Sequence, residues 1–142
     1  MEIARNSSAF TLIEIMIVVV VIGMMAALVG PGAMKLLFRG RQSSTQTTLQ
    51  ALKGAIVEYQ MDIGSIPANL EALVHNVSSS PKWRGPYLEG QKEAPKDAWD
   101  NDFIYNKPPV EYKEFGYKLY EIISHGDDDA GDDKTKWLHT GA

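Results

Sequence analysis

The chain has 142 residues, with 14 Lys and Arg against 18 Asp and Glu, and no cysteine, which is enough for one domain but excludes a disulfide framework, a thiolate nucleophile and Cys-ligated zinc. The charge is unevenly divided. Residues 1–41 hold Arg5, Lys35, Arg39 and Arg41 against Glu2 and Glu14, whereas the remainder sets ten cations against sixteen carboxylates. A soluble portion this acidic argues against nucleic acid as a partner, because such affinity comes largely from neutralising phosphates with Lys and Arg.

Residues 15–34 carry no charge, and twenty such residues at about 1.5 Å each span roughly 30 Å as a helix, the thickness of a bilayer core. A transmembrane helix is the direct reading. A secretory signal peptide would have a shorter apolar stretch after a more basic start. A core helix would need a larger domain to enclose it. Orientation is contested by Lys35, Arg39 and Arg41, which by the positive-inside rule alone would hold the C-terminal side in the cytoplasm.

Ahead of this run stands Ser8-Ala9-Phe10-Thr11-Leu12-Ile13-Glu14. A carboxylate at the edge of hydrocarbon costs several kcal/mol unless it finds a cation, so Glu14 is a functional candidate. A cut between Ala9 and Phe10 would create an α-amino group four residues before Glu14, on the same subunit or offered by a neighbour.

The Phe10 to Glu14 motif followed by a long aliphatic helix resembles the N-terminus of type IV pilins and of the pseudopilins of type II secretion. The resemblance implies cleavage before Phe10 by a prepilin peptidase, methylation of the new amine, and pairing of Glu14 with the amine of the adjacent subunit during assembly. In that family the residue before the cut is usually Gly; here it is Ala9. Pro31, between Gly30 and Gly32, removes a helical hydrogen bond and weakens the turn before it. The family also carries a proline at this distance from the cut.

After Arg41 the chain turns polar through Gln42-Ser43-Ser44-Thr45-Gln46-Thr47-Thr48, and then Leu49, Leu52, Ile56 and Tyr59 form one helical face, with Gln50, Lys53, Glu58 and Gln60 opposite. The helix is predicted to end near Asp62-Ile63-Gly64, where Gly suits the cap. A short second helix is predicted at Leu70-Glu71-Ala72-Leu73-Val74, capped by Asn69, and Ser78-Ser79-Ser80-Pro81 ends it. Phe103-Ile104-Tyr105 reads as a strand broken by Pro108-Pro109. Residues 115–123 read as the longest strand, with Phe115, Tyr117 and Leu119 alternating against Gly116, Lys118 and Tyr120.

Near the C-terminus Asp127, Asp128, Asp129, Asp132 and Asp133 place five carboxylates within seven residues. Such crowding repels itself unless solvent or a cation relieves it, and calcium, with six to eight hard oxygen ligands in flexible geometry, is the natural cation. The EF-hand pattern does not fit, and a merely solvated acidic loop is the alternative.

Ile66-Pro67 with residues 70–74, Gly85-Pro86-Tyr87-Leu88, and residues 95–105, where the usual Asp-Pro-Trp-Gly reads Asp97-Ala98-Trp99-Asp100, are similar to the major pseudopilin of type II secretion. That likeness runs from Ala9 to Trp137. It extends to a C-terminal calcium loop, through Ser124-His125-Gly126-Asp127-Asp128 at its opening and Asp132-Asp133 with Trp137 at its close. The resemblance implies Asp128, Asp132 and Asp133 as side-chain calcium ligands, with His125 giving its backbone carbonyl.

His75, His125 and His139 show no metal spacing and no triad, Trp83, Trp99 and Trp137 read as pins for loops, and Asn76-Val77-Ser78 is too short a pattern to trust as a glycosylation acceptor. No catalytic constellation is present, and the chain is read as no enzyme. The expected fold is α+β and pilin-like: a leader over residues 1–9, a long N-terminal helix over 10–63 with its transmembrane part about 12–34, packed on a small antiparallel sheet, and a periplasmic globular domain over 64–142 carrying the acidic loop.

As implied by the resemblance, the expected function is that of a structural subunit that polymerises to drive protein export across the outer membrane. Its expected partners are further copies of itself, minor pseudopilins, prepilin peptidase, the inner-membrane assembly platform with its ATPase, the secretin, and the inner membrane as single-pass anchor. The rivals are a type IV pilin or minor pseudopilin, and a signal-anchored periplasmic protein.

Overall fold

The computed structural model describes residues 10–127 and 133–142, without the side chains of residues 28–31 and 135. The expected leader over residues 1–9, with Ala9, and Asp128, Asp129 and Asp132 of the acidic loop therefore lie outside the described residues. The chain divides into two compact units at Phe38 and Arg39.

One helix, α1 (Leu12–Ile63), begins in the first unit and ends in the second. In the first unit every described apolar side chain of this helix is exposed, from Leu12 through the valines 18–21 to Phe38. A helix apolar on all sides and covered by nothing matches a lipid or helix-packing environment rather than water. Among the described residues no single helical piece is long and apolar enough to cross a membrane. The bent pair Leu12–Ala27 and Gly32–Ile63 passes together, by length and composition.

In the second unit the helical stripe works as its spacing predicts. Leu49, Leu52 and Ile56 are fully buried and Tyr59 nearly so, while Gln50, Glu58 and Gln60 are exposed. These residues pack with Leu70, Leu73, Leu88, Phe103, Tyr120 and Ile122 in one core. The helix ends at Ile63, where the Gly64 N–H donates to the Gln60 carbonyl at 2.8 Å. Leu70–Leu73 then forms a single 3-10 turn, capped as expected: the Asn69 side chain accepts the Ala72 N–H at 3.1 Å. Leu70 and Leu73 are thereby aimed into the core.

Three antiparallel strands complete the fold: β1 (Ile104–Asn106), β2 (Glu121–Ser124) and β3 (Leu138–Gly141), in the order β1-β2-β3. Ile104 pairs with Ile123, and Glu121 with Gly141. The expected strand over residues 115–123 is corrected. Lys113–Phe115 is a 3-10 turn, closed by Gly116 at φ 81°, a left-handed conformation that costs glycine little, and the strand begins only at Glu121. The alternation of Phe115 and Leu119 misleads because Phe115 ends the 3-10 turn, Leu119 lies in the connection to β2, and both are exposed. The true strand is central and buried at every residue, so it shows no alternation.

Glu121 is fully buried and would be costly there without partners. It has four: Asn106 Nδ2 and the N–H groups of Val110, Glu111 and Tyr112 all donate to its carboxylate at 2.8–2.9 Å. Burial works to raise its pKa, yet the hydrogen bonds outweigh burial and hold it below the ordinary value. One side chain thus fixes the whole turn from Asn106 to Tyr112. Beside it His139 of β3 stacks on Tyr112, 3.8 Å between ring centres, with the Tyr117 hydroxyl 3.1 Å from its Nδ1.

Candidate functional site

The first candidate region is the head of α1. Thr11 caps it, its hydroxyl accepting the Glu14 N–H at 3.3 Å and its carbonyl accepting the same N–H at 3.1 Å. Thr11-Leu12-Ile13-Glu14 therefore has the spacing of a capping box, in which the acid in the first turn also meets the positive end of the helix dipole. This local role at the helix start stands beside the expected assembly role of Glu14 and does not test it. Phe10 and Glu14 are both exposed, and among the described residues no cation lies within ion-pair distance of Glu14. Pro31 lies within α1, and its side chain is among those left undescribed.

The second region is the mouth of the acidic loop, which joins β2 to β3. Ser124, the last residue of β2, donates through Oγ to Asp97 Oδ2 at 2.6 Å and accepts the Gly126 N–H at 3.1 Å. Gly126 sits at φ 71°, where a side chain would strain the backbone, and its carbonyl accepts Asn101 Nδ2 at 2.9 Å. The other Asp97 oxygen accepts the N–H groups of Trp99 and Asn101, each at 2.9 Å. Asp100 stands at φ 70° in this turn, a left-handed conformation that non-glycine residues adopt less readily than Gly.

Further along the loop the His125 ring stacks on Trp137, 4.0 Å between centres, and the Tyr112 hydroxyl donates to the Lys134 carbonyl at 2.9 Å. Lys134 also pairs with Glu111, and Asp133 with Lys136 at 3.7 Å. Of the expected calcium ligands, Asp133 is exposed, His125 flanks the mouth, and Asp128 and Asp132 lie outside the described residues. Among the described residues no three His, Cys, Asp or Glu side chains are grouped to hold a metal.

Residues 33–138 match the family model for the type II secretion system (T2SS), protein G, and residues 4–30 match the prokaryotic N-terminal methylation motif. The chain belongs to the protein G family of type II secretion. It is a pseudopilin. Among its relatives, the type II secretion system core protein G of Pseudomonas aeruginosa is 32% identical, covering 90% of this chain and 91% of that one. The core protein G of Escherichia coli is 32% identical, covering 96% and 95%, and that of Vibrio cholerae 36%, covering 76% of each. No solved structure matches the chain significantly.

For a pseudopilin, the two regions sort into two tasks. The methylation motif covers residues 4–30, which include the apolar start of α1, whose described side chains are all exposed. The protein G match covers the unit in which α1, the sheet and the loop mouth form one hydrogen-bonded body. Thr45 is a further structural link of this pseudopilin that the sequence did not single out: fully buried, it accepts the Ala98 N–H at 3.1 Å and so ties α1 to the turn that holds the loop mouth. Its signal was its place four residues before Leu49 on the buried stripe, masked by the polar composition around it.

Proposed function

We propose that this pseudopilin is the major, homopolymeric subunit of the pseudopilus, inserted in the inner membrane by the apolar half of α1 as a single pass with its C-terminal unit in the periplasm. Prepilin peptidase cuts between Ala9 and Phe10, and the new Phe10 amine is methylated. Glu14 then pairs with the amine of the adjacent subunit and sets the stagger between helices, while Pro31 eases the helix as it leaves the bilayer. The role is structural, with no reaction catalysed.

One observation carries the reading: a methylation motif over residues 4–30 joins directly to a protein G match over residues 33–138, with the exposed Glu14 carboxylate at the head of an apolar helix. A buried carboxylate in hydrocarbon demands a cation, and the amine exposed by cleavage is the nearest one the chemistry supplies. Growth of such a filament requires the inner-membrane assembly platform and its ATPase, minor pseudopilins and the secretin.

The acidic loop is proposed to take calcium through Asp128, Asp132, Asp133 and the His125 carbonyl. The donor set supports it, since the loop offers hard oxygens and no thiolate. A bound calcium would neutralise the crowded carboxylates and hold the loop closed. Asp133 pairs with Lys136 in this structure, an exposed contact worth little and readily exchanged.

Replacing Glu14 by Leu tests the assembly claim. A Glu14→Leu chain is expected to reach the membrane at normal levels and fail to support secretion. Undiminished secretion would overturn the reading and favour an anchored protein that does not polymerise.

A further inference from the structure

On the outer side of α1 the second unit carries an open groove of about 580 Å³, with Ala51 and Gly54 on its helical floor and Leu88 in the wall that faces them. That wall is held in place by the subunit itself. The Tyr87 N–H donates to the Leu73 carbonyl at 2.8 Å, Glu71 accepts the Ala94 N–H at 3.3 Å, and His75 Nε2 lies 2.8 Å from the Lys92 carbonyl. Two exposed carboxylates, Glu58 and Glu89, line the groove, and neither makes an ion pair among the described residues. Lys96, also in the lining, is engaged by Asp102 at 3.7 Å and by the Asp100 carbonyl at 3.4 Å.

Packing within the subunit does not call for Gly54. Glycine inside a helix is destabilising relative to alanine, yet among the described residues nothing outside the helix lies within 4 Å of where a Cβ would stand. The same holds for Gly40, 14 residues earlier on α1. Gly40 stands between Arg39 and Arg41, two exposed cations that make no ion pair among the described residues. Successive helical residues are turned by about 100°, so a Gly40 facing the groove would have an arginine on either side.

We propose that the groove receives the Arg39-Gly40-Arg41 segment of a second copy of this chain, glycine against glycine, with the two arginines on Glu58 and Glu89. The inference rests on the self-assembling reading above and gives it a surface. Glycine permits close approach of another backbone, and the unpaired charges of groove and segment are opposite in sign. Groove and segment are different patches of one chain, so the contact is head-to-tail, the kind that extends into a filament when its rotation does not close. Gly40 opposite Gly54 shifts the second copy by about 21 Å along the helix, whereas Phe10 opposite Glu14 shifts it by about 6 Å. The two contacts therefore join a subunit to different neighbours.

Charge exchange tests the contact in the full chain, in membranes that hold the secretion machinery. Arg39→Glu with Arg41→Glu, and separately Glu58→Arg with Glu89→Arg, are each expected to reduce the ladder of polymer captured by an amine-reactive cross-linker about 10-fold or more. The chain with all four changes is expected to restore it, and every lysine the cross-linker uses stays in place. Gly54→Leu is expected to lose the ladder while raising the urea midpoint of the full chain in detergent micelles, since leucine is the better helix former. A glycine kept only for the subunit's own fold would not give those opposite signs.

Absence of any ladder in the unaltered protein sinks the self-assembly reading and this inference with it. Equal ladders in the unaltered, charge-reversed and Gly54→Leu chains, or a loss that the fourfold change does not restore, overturns the inference alone. Full ladders with secretion lost give the groove to another partner and overturn it as well. If Gly54→Leu does not fold, the charge exchange decides.

Discussion

The Tyr112 N–H donates at 2.8 Å to Oε2 of the fully buried Glu121, in a cradle whose other donors are Asn106, Val110 and Glu111. The carboxylate is stabilised in its charged form, so its pKa falls below 4.5 in the folded protein despite burial. His139, stacked on the same Tyr112, is shifted below 6.5 chiefly by burial, with Glu121 opposing. In both cases the unfolded chain binds the proton more readily than the folded one, so both favour folding at neutral pH and lose that contribution on acidification. Urea midpoints of the soluble unit are expected to begin falling below about pH 6.5 through His139, and more steeply below about pH 4.5 through Glu121. Glu121→Gln should remove the lower step; an unchanged acid limb in that variant would contradict the cradle.

Tyr105 gives the opposite limb. Its hydroxyl donates to the Pro67 carbonyl at 3.0 Å, and its pKa is pushed up to about 12, first by burial and then by Tyr120 and Tyr59. The folded protein holds this proton where the unfolded chain releases it, so the stabilisation is complete below pH 10 and is lost as pH rises toward 12. Tyr105→Phe should show a shallower alkaline decline. Loss of stability with equal slope in both proteins would contradict the assignment.

Leu52 lies at the centre of the α1 stripe with no exposed surface. Leu52→Ala is expected to destabilise the soluble unit by about 2–5 kcal/mol, through lost burial and the cavity left behind. Gln50→Ala on the exposed face should change stability by no more than about 0.5 kcal/mol. Chemical denaturation of the two variants side by side measures the contrast.

The stripe was legible because a 3.6-residue period survives translation into packing, and the Asn69 cap because its chemistry is local. The sheet was not. β2 is central, so Glu-Ile-Ile-Ser is buried without alternation, and Leu-His-Thr-Gly of β3 carries no strand pattern. The alternating residues 115–119 lie between β2 and the turn that Glu121 holds, a turn whose donors come from a segment ten or so residues before Glu121. The loop mouth depends on pairings between residues 27 and 53 apart, which no local pattern announces. The residues proposed for processing and assembly, Ala9, Phe10 and Glu14, by contrast, stand close together in the sequence.

If the acidic loop takes calcium, chelation should lower the melting temperature of the soluble unit, and calcium at about one hundred times its Kd should return about 2.7 kcal/mol. Asp128→Ala with Asp132→Ala should abolish the difference. Identical melting curves with and without calcium would remove the ion from the account.

Mass spectrometry of the N-terminus of protein recovered from membranes tests the central claim most directly. The account predicts a chain that begins at Phe10 and carries one added methyl group on its amine. A chain that retains residues 1–9, or one cut after the apolar run and released, would contradict it.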